Sequence, residues 1–421
     1  MTNNILEARE QRTHQINQIY KSGSLIICVK ANIPGVDKNL NEAHFLVRLF
    51  TLRIQKEYKC EFIKHFESAD GPYSIIQIKS SDSLKMKQEF ILIEDTHPLG
   101  RFIDLDLYDH NNHSLSRLGL KMPYRKCYIC GKDAHVCSRA QTHSITSLLE
   151  FIKTKIKVYL TYQMERHIYD ALIKELELED KFGLVTKSSR GSHLDMDYKL
   201  MRDAIYAILP YLVDLFIIGY EASELTNLLE KSRPVGIIAE AEMLKATHGV
   251  NAYKGLIFIL GLAILGVGYA LKHNQQFATI FENIKQMSQS VLEEFKQAPK
   301  TTGLKAYQNY QITGIRGEAY QGLPSVISAL DTYHDEQEQT LRKVLKHLIL
   351  VSEDTVLLKR ANSIENYHQI KEKLRHVDLG DPIQLKAFNA YAIKENLSFG
   401  GSADLLIVTI FLKSIQNEYF Q

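Results

Sequence analysis

Asp104 and Asp106 stand two apart in the run Gly100-Arg101-Phe102-Ile103-Asp104-Leu105-Asp106-Leu107, with Ile103, Leu105 and Leu107 at the alternate positions. A period of two marks a half-buried strand. It puts both carboxylates on one face and the aliphatic side chains on the other. Adjacent carboxylates repel, and a hard cation such as Mg²⁺ relieves that repulsion while engaging substrate phosphates. A solvated edge strand carrying two acids has the same pattern. The octapeptide alone does not separate the two readings.

A second cluster comprises Cys127, Cys130 and Cys137, with His135 close by and His143 further on. Three thiols and an imidazole within eleven residues form a donor set for Zn²⁺. The spacing Cys130-x4-His135-x-Cys137 is not that of a standard zinc knuckle, so reduced, partly buried thiols are the favoured reading. Arg125, Lys126 and Arg139 flank the cluster and suit a phosphate-binding lobe instead.

The second half of the chain mixes polar groups with small residues in several places. These are Gly191 to Asp197, Arg233-Pro234-Val235-Gly236 with Glu240, Thr247 to Gly255, Gly314 to Ala319, and Gly400 to Leu406. Asn251 and Lys254 fall at the N-terminal end of the most apolar stretch, where free backbone amides attract phosphates. Asp404 opens another apolar helix after a Gly-Gly turn, a place for a cap or for a metal ligand. Each segment alone is explained by a turn or a cap.

The elements that carry these groups change character near residue 145. Before it, β-rich runs (Leu25–Val29, Tyr73–Ile78, Glu89–Glu94) alternate with the helical stretch Ala43–Glu57, which predicts an α+β or α/β domain. After it, long helical patterns such as Ser147–Leu178, Tyr198–Gly219, Gly236–Thr247 and Asp381–Glu395 predict an all-α region. The junction reads as a helix. Gly255 to Leu271 runs uncharged between Lys254 and Lys272, at the short limit for a membrane span. A buried central helix explains it better than a membrane helix.

With 421 residues the chain exceeds the usual size of a single domain. Its 45% hydrophobic and 24% charged residues are those of a globular protein, and a net charge of +2 gives no general polyanion surface for nucleic acid. Five cysteines, an odd number and mostly clustered, argue against a secreted disulfide scaffold. Met1 to Arg12 is polar and lacks an apolar signal core, so a cytoplasmic location is expected.

Two resemblances organise these observations. Asn32-Ile33-Pro34-Gly35, Lys38, His97-Pro98-Leu99-Gly100-Arg101, the paired aspartates and Tyr124 to Arg139 together resemble the holo-citrate-lyase synthase family (the CitX type), across roughly residues 5 to 150. From about 160 to 421 the chain resembles the triphosphoribosyl-dephospho-coenzyme A synthase family (the CitG type). The matching motifs there include Gly183-Leu184-Val185, His193, Asp195-Met196-Asp197, Arg233-Pro234, Glu240, Gly249-Val250-Asn251 and Lys254-Gly255. Further along they include Arg316-Gly317-Glu318-Ala319, Asp354-Thr355 and Gly401 to Leu406. Thr186, Tyr253 and Phe399 depart from the family's Asp, His and Pro.

These resemblances imply a fusion: a transferase domain over 1–157, α+β and nucleotidyltransferase-like, and an all-α synthase domain over 158–421. The synthase would join the triphosphoribosyl unit of ATP to 3′-dephospho-coenzyme A and expel adenine. The transferase would place the product on a serine of the acyl carrier (gamma) subunit of citrate lyase, releasing pyrophosphate. Neither nucleic acid nor a membrane is an implied partner. The candidate catalytic residues are Asp104, Asp106, Asp195, Asp197 and Glu318, with Mg²⁺ on the first four. Arg101, Asn251, Lys254, Arg316 and Asp404 are the candidate nucleotide-binding residues. The same chemistry in malonate decarboxylase, or a carrier-binding scaffold with one inactive domain, are the alternatives.

Overall fold

The computed structural model describes residues 2–79, 82–296 and 302–420. The chain separates into two compact units. One comprises Met1–Leu160 with Lys272–Asn274 and Glu418–Gln421; the other comprises Thr161–Leu271 and Gln275–Asn417.

The first unit runs α1 (Thr2–Ile19), β1 (Leu25–Ala31), α2 (Asn41–Glu57), β2 (Cys60–Phe66), β3 (Tyr73–Ile78) and α3 (Ser83–Thr96). It continues through β4 (Ile103–Tyr108), β5 (Ser114–Leu115), α4 (Ala134–Arg139) and α5 (Ile145–Glu177), and the boundary between the units falls inside α5. The strands form one antiparallel sheet in the order β2-β3-β1-β4-β5. In β4 the expected alternation holds: Ile103, Leu105 and Leu107 are fully buried, while Asp104 and Asp106 are not. Burying each of those aliphatic side chains contributes about 1.5–3 kcal/mol, which fixes the face on which the acids stand.

α3 supports β4 through polar as well as apolar contacts. The buried Lys87 Nζ donates to the Leu105 carbonyl at 2.8 Å, and Glu94 Oε1 accepts the Leu105 N–H at 3.0 Å. Those bonds satisfy the side of β4 that no long strand covers. The run Glu89–Glu94, expected as a strand, is part of α3. Its apolar residues join a helical stripe that starts upstream, with Met86, Phe90, Ile91 and Ile93 buried and Asp82 capping the helix at Lys85 N.

The second unit is mostly helical: α6 (Tyr198–Glu221), α7 (Leu228–Ala246), α8 (Lys254–Lys272), α9 (Thr279–Met287), α10 (Thr302–Tyr310), α11 (Gly314–Gln321) and α12 (Pro324–Leu330). Then come α13 (Glu338–Val351), α14 (Thr355–Ala361), α15 (Ile364–Arg375), α16 (Pro382–Lys394) and α17 (Gly400–Tyr419). α6 and α8 are long and apolar enough to cross a membrane, but the most apolar window of α8 is 78% buried within the protein, as befits a core helix. Backbones of α6 and α8 meet at glycine: a Cβ at Gly219 would lie 2.4 Å from the Leu265 carbonyl oxygen.

Two turn-like expectations resolve into helix. Arg233-Pro234-Val235-Gly236 lies inside α7, whose buried Leu228, Leu229, Ala239 and Met243 carry it past the N–H that Pro234 lacks. Asp404 does not cap α17; it is the helix's fifth residue.

Candidate functional site

In the first unit, antiparallel register sets Asp104 opposite Lys30 and Asp106 opposite Cys28, all on one face of the sheet. Asp106 is crowded by protein and next by the Asp104 charge, which together raise its carboxyl above the usual range. Arg125 pairs with Asp104 Oδ1, and its Nη2 lies 2.5 Å from Glu94 Oε1. Arg101 gives Nη2 to the Lys126 carbonyl, while its buried Nη1 makes no hydrogen bond. Burial and the charges of Arg125 and Arg117 lower the Arg101 guanidinium, so an anion there is favoured.

Asp70 anchors this face through Lys30. It is buried and takes Lys30 Nζ at 2.5 Å, Arg12 Nη1 at 2.8 Å and Arg9 Nε at 3.3 Å. Burial alone would raise it, yet the hydrogen bonds from Lys30, Arg12 and Arg9 win and hold its carboxyl at about 2. Burial and the Asp106 charge push the Cys28 thiol up to about 12, so it stays a protonated packing group.

In the second unit a cavity of about 650 Å³ gathers Asp195, Asn251, Lys254, Arg316 and Asp404 from four separate segments. Asn251 Oδ1 accepts the Lys254 N–H at 3.1 Å and caps α8, and the Lys254 ammonium pairs with Glu240. Asp404 faces this region from α17; burial, then Asp354 and Glu175, raise its carboxyl well above the ordinary value. Glu175 pairs with the buried Lys181 Nζ at 2.6 Å. His193 Nε2 meets Ser398 Oγ at 3.1 Å; its Nδ1 makes no hydrogen bond and stands 3.9 Å from Asp195 Oδ1. Burial, then the Arg360 charge, lower this imidazole, so it is neutral at pH 7. The buried Tyr253 hydroxyl, also at the cavity, has no hydrogen-bond partner either. Two orphaned polar atoms at one cavity invite a polar ligand.

Three acids of interest have other work. Asp197 caps α6 by accepting the Leu200 N–H at 2.9 Å and pairs with Arg190 at 3.1 Å; it does not line the cavity. Glu318 is buried, accepts the Ser325 N–H at 3.2 Å and its hydroxyl, and faces a separate cleft of about 310 Å³. Asp354 caps two helices at once, taking Val356 and Leu357 N–H at 2.9 and 3.0 Å and Ser402 N–H at 2.8 Å. Sequence reasoning passed over Arg360 and Lys359, which line the cavity, and named Tyr253, also there, only as a departure from the family's His. No local spacing singles out the first two.

Residues 161–420 match the family described as ATP:dephospho-CoA triphosphoribosyl transferase, and residues 1–159 match apo-citrate lyase phosphoribosyl-dephospho-CoA transferase. The chain is 32% identical to protein CitXG of Leuconostoc mesenteroides subsp. cremoris over 97% of its length and 96% of that protein's. It is 29% identical to protein CitXG of Haemophilus influenzae, with 98% and 96% covered. The 2-(5''-triphosphoribosyl)-3'-dephosphocoenzyme-A synthase of Haemophilus ducreyi is 33% identical, covering 68% of this chain and 99% of its own. A small antiparallel sheet with helices, followed by a helical unit around a cavity lined by both charged and apolar groups, is thus the frame of a two-part transferase. The chain belongs to the ATP:dephospho-CoA triphosphoribosyl transferase family through its second part and, over its whole length, to the family of the CitXG proteins.

Proposed function

We infer that this one chain performs both steps of citrate lyase prosthetic-group synthesis. The second part makes 2′-(5″-triphosphoribosyl)-3′-dephospho-coenzyme A from ATP and 3′-dephospho-coenzyme A. The first part transfers the phosphoribosyl-dephospho-coenzyme A group to apo-citrate lyase. The observation that carries this reading is the second unit's cavity, which assembles Asp195, Asn251, Lys254, Arg316 and Asp404.

We propose the following division of labour there. Lys254, Arg316 and Arg360 hold the triphosphate by charge-assisted hydrogen bonds. Adenine leaves C1′ of ATP through an oxocarbenium-like state that nearby carboxylates stabilise. Asp404, whose protonated form burial favours, gives the departing adenine a proton. Neutral His193 takes the proton from the attacking 2′ hydroxyl of dephospho-coenzyme A, so no net proton is gained or lost. Asp197 and Glu318 act by positioning α6 and the Ser325 turn.

In the first part, the chemistry is nucleotidyltransferase-like: a carrier serine attacks the phosphate ester and pyrophosphate departs. Asp104 and Asp106 fit Mg²⁺, because they stand on one face of the sheet, where burial and then the Asp104 charge raise Asp106 and a cation would relieve both. Bound there, Mg²⁺ would neutralise phosphate charge. Arg101, with its unpaired Nη1, grips the leaving pyrophosphate. The carrier is the gamma subunit of citrate lyase, the functional division lies at 157/158, and the location is the cytoplasm, where reduced thiols persist.

The test is direct. The chain is incubated with ATP and 3′-dephospho-coenzyme A, and adenine is followed by chromatography. Apo-carrier is then added, and its mass and released pyrophosphate are measured. Absence of adenine release overturns the synthase half; an unmodified carrier in the presence of authentic precursor overturns the transferase half.

A further inference from the structure

We propose that Cys127, Cys130, Cys137 and His143 form a closed structural Zn²⁺ site in the first unit. One ligand atom from each residue lies within 4.8 Å of all the others. The imidazole brought to the thiols is His143, beyond α4, and not His135, whose ring lies against Tyr124 at 4.7 Å. Three thiols and one imidazole are a common donor set for structural zinc, and four protein ligands leave no position open for catalysis.

The backbone is folded to present those groups. Lys126 and Asp133 form an antiparallel bridge, the Cys127 N–H donates to the Lys132 carbonyl at 2.6 Å, and the Gly131 N–H donates to the Cys127 carbonyl at 3.0 Å. Gly131 takes a φ of +71°, which closes this tight turn and turns Cys127 and Cys130 toward each other. α4 then supplies Cys137, and the Thr142 N–H bonds back to the Cys137 carbonyl at 3.1 Å, delivering His143.

A disulfide does not account for the cluster. It would use two thiols and strand the third, and the Cys130–Cys137 sulfur separation of 3.3 Å is far outside the bonded length of about 2.05 Å. Tetrahedral zinc with Zn–S of about 2.3 Å sets sulfur atoms about 3.8 Å apart. Apart from Tyr128 against Phe102 and Phe151 and the ion pairs of Arg117 and Arg125, the segment has little to hold it. From residue 109 to residue 150, the buried side chains among the described residues are Cys127 and Cys137 alone. A stretch without an apolar core needs a staple, and a metal is one. What it would hold in place is Arg125, the partner of Asp104 and Glu94, and the Lys126 carbonyl that receives Arg101. The metal would thus take no part in the reaction but would orient the cations beside the paired aspartates.

The full chain, purified with reductant and exposed to Zn²⁺ before desalting, should retain a single Zn²⁺ by elemental analysis. Cys130→Ser and His143→Ala should each lose most of it, whereas His135→Ala and Cys60→Ser should keep it. Cobalt exchanged into the wild-type chain should show thiolate-to-cobalt charge transfer and the strong visible bands of a tetrahedral site. That measurement stands even if a variant fails to fold. Substoichiometric zinc in the wild type, an octahedral cobalt spectrum, iron in place of zinc, or full zinc in His143→Ala would each overturn the proposal.

Discussion

Gly255 lies against the carboxylate of Asp404: a Cβ at residue 255 would come 2.6 Å from Asp404 Oδ2. In a helix, alanine ordinarily stabilises by about 1 kcal/mol over glycine. Against that, pushing a buried carboxylate aside costs about 1–3 kcal/mol, so Gly255→Ala should hold or slightly lower the melting temperature while displacing the acid. Adenine release should fall roughly 10²-fold, the scale of a 1 Å misplacement at a reacting group. Unchanged kinetics would remove Asp404 from the reaction.

Asp404 also predicts a pH effect on stability. Its carboxyl is raised in the folded protein, so between the ordinary carboxylate value and its own higher value the native state binds the extra proton. Stability falls as pH rises through that window. Asp404→Asn should abolish that decline, unfolding at a higher temperature than wild type at pH 7 while losing synthase activity. Parallel melting curves against pH for both proteins would disprove it.

Lys254 and Arg316 should each contribute about 1.5–3 kcal/mol to holding ATP, the range for charge-assisted hydrogen bonds. Adenine release measured against ATP concentration for Lys254→Ala and Arg316→Ala reads this. Transfer of ready-made precursor to the carrier should be unaffected. A parallel loss of transfer would point to general misfolding.

Asp104→Asn or Asp106→Asn should lower carrier modification on the order of 10²-fold while leaving adenine release intact. The same substitutions should diminish the dependence of transfer on added Mg²⁺. Near wild-type modification by either variant would leave the pair as a solvated strand face.

Glu318 distinguishes scaffold from chemistry. Glu318→Ala strands the buried Ser325 N–H and hydroxyl and should cost about 1.5–3 kcal/mol of stability. Glu318→Gln keeps an acceptor and should retain most of the adenine release. A collapse of turnover in the glutamine variant with the fold intact would make Glu318 catalytic.

The legible part of this protein was local. Period-two alternation around Asp104 and Asp106 announces a strand with both acids on one face, and β4 is that strand. The uncharged run after Lys254 announces a buried helix with Asn251 at its start, because apolar burial and capping depend on neighbours in sequence. The same local logic misled at Glu89–Glu94, where β-branched and aromatic residues imitate a strand inside a helical stripe. What only the tertiary structure decided is which groups meet across long loops. Asp354 reaches 48 residues ahead to Ser402, Arg125 swings back to Asp104, and His143 replaces His135 beside the thiols. The first two encounters are set by packing of distant elements and the third by the turn around Gly131 and α4, and spacing along the chain records none of them.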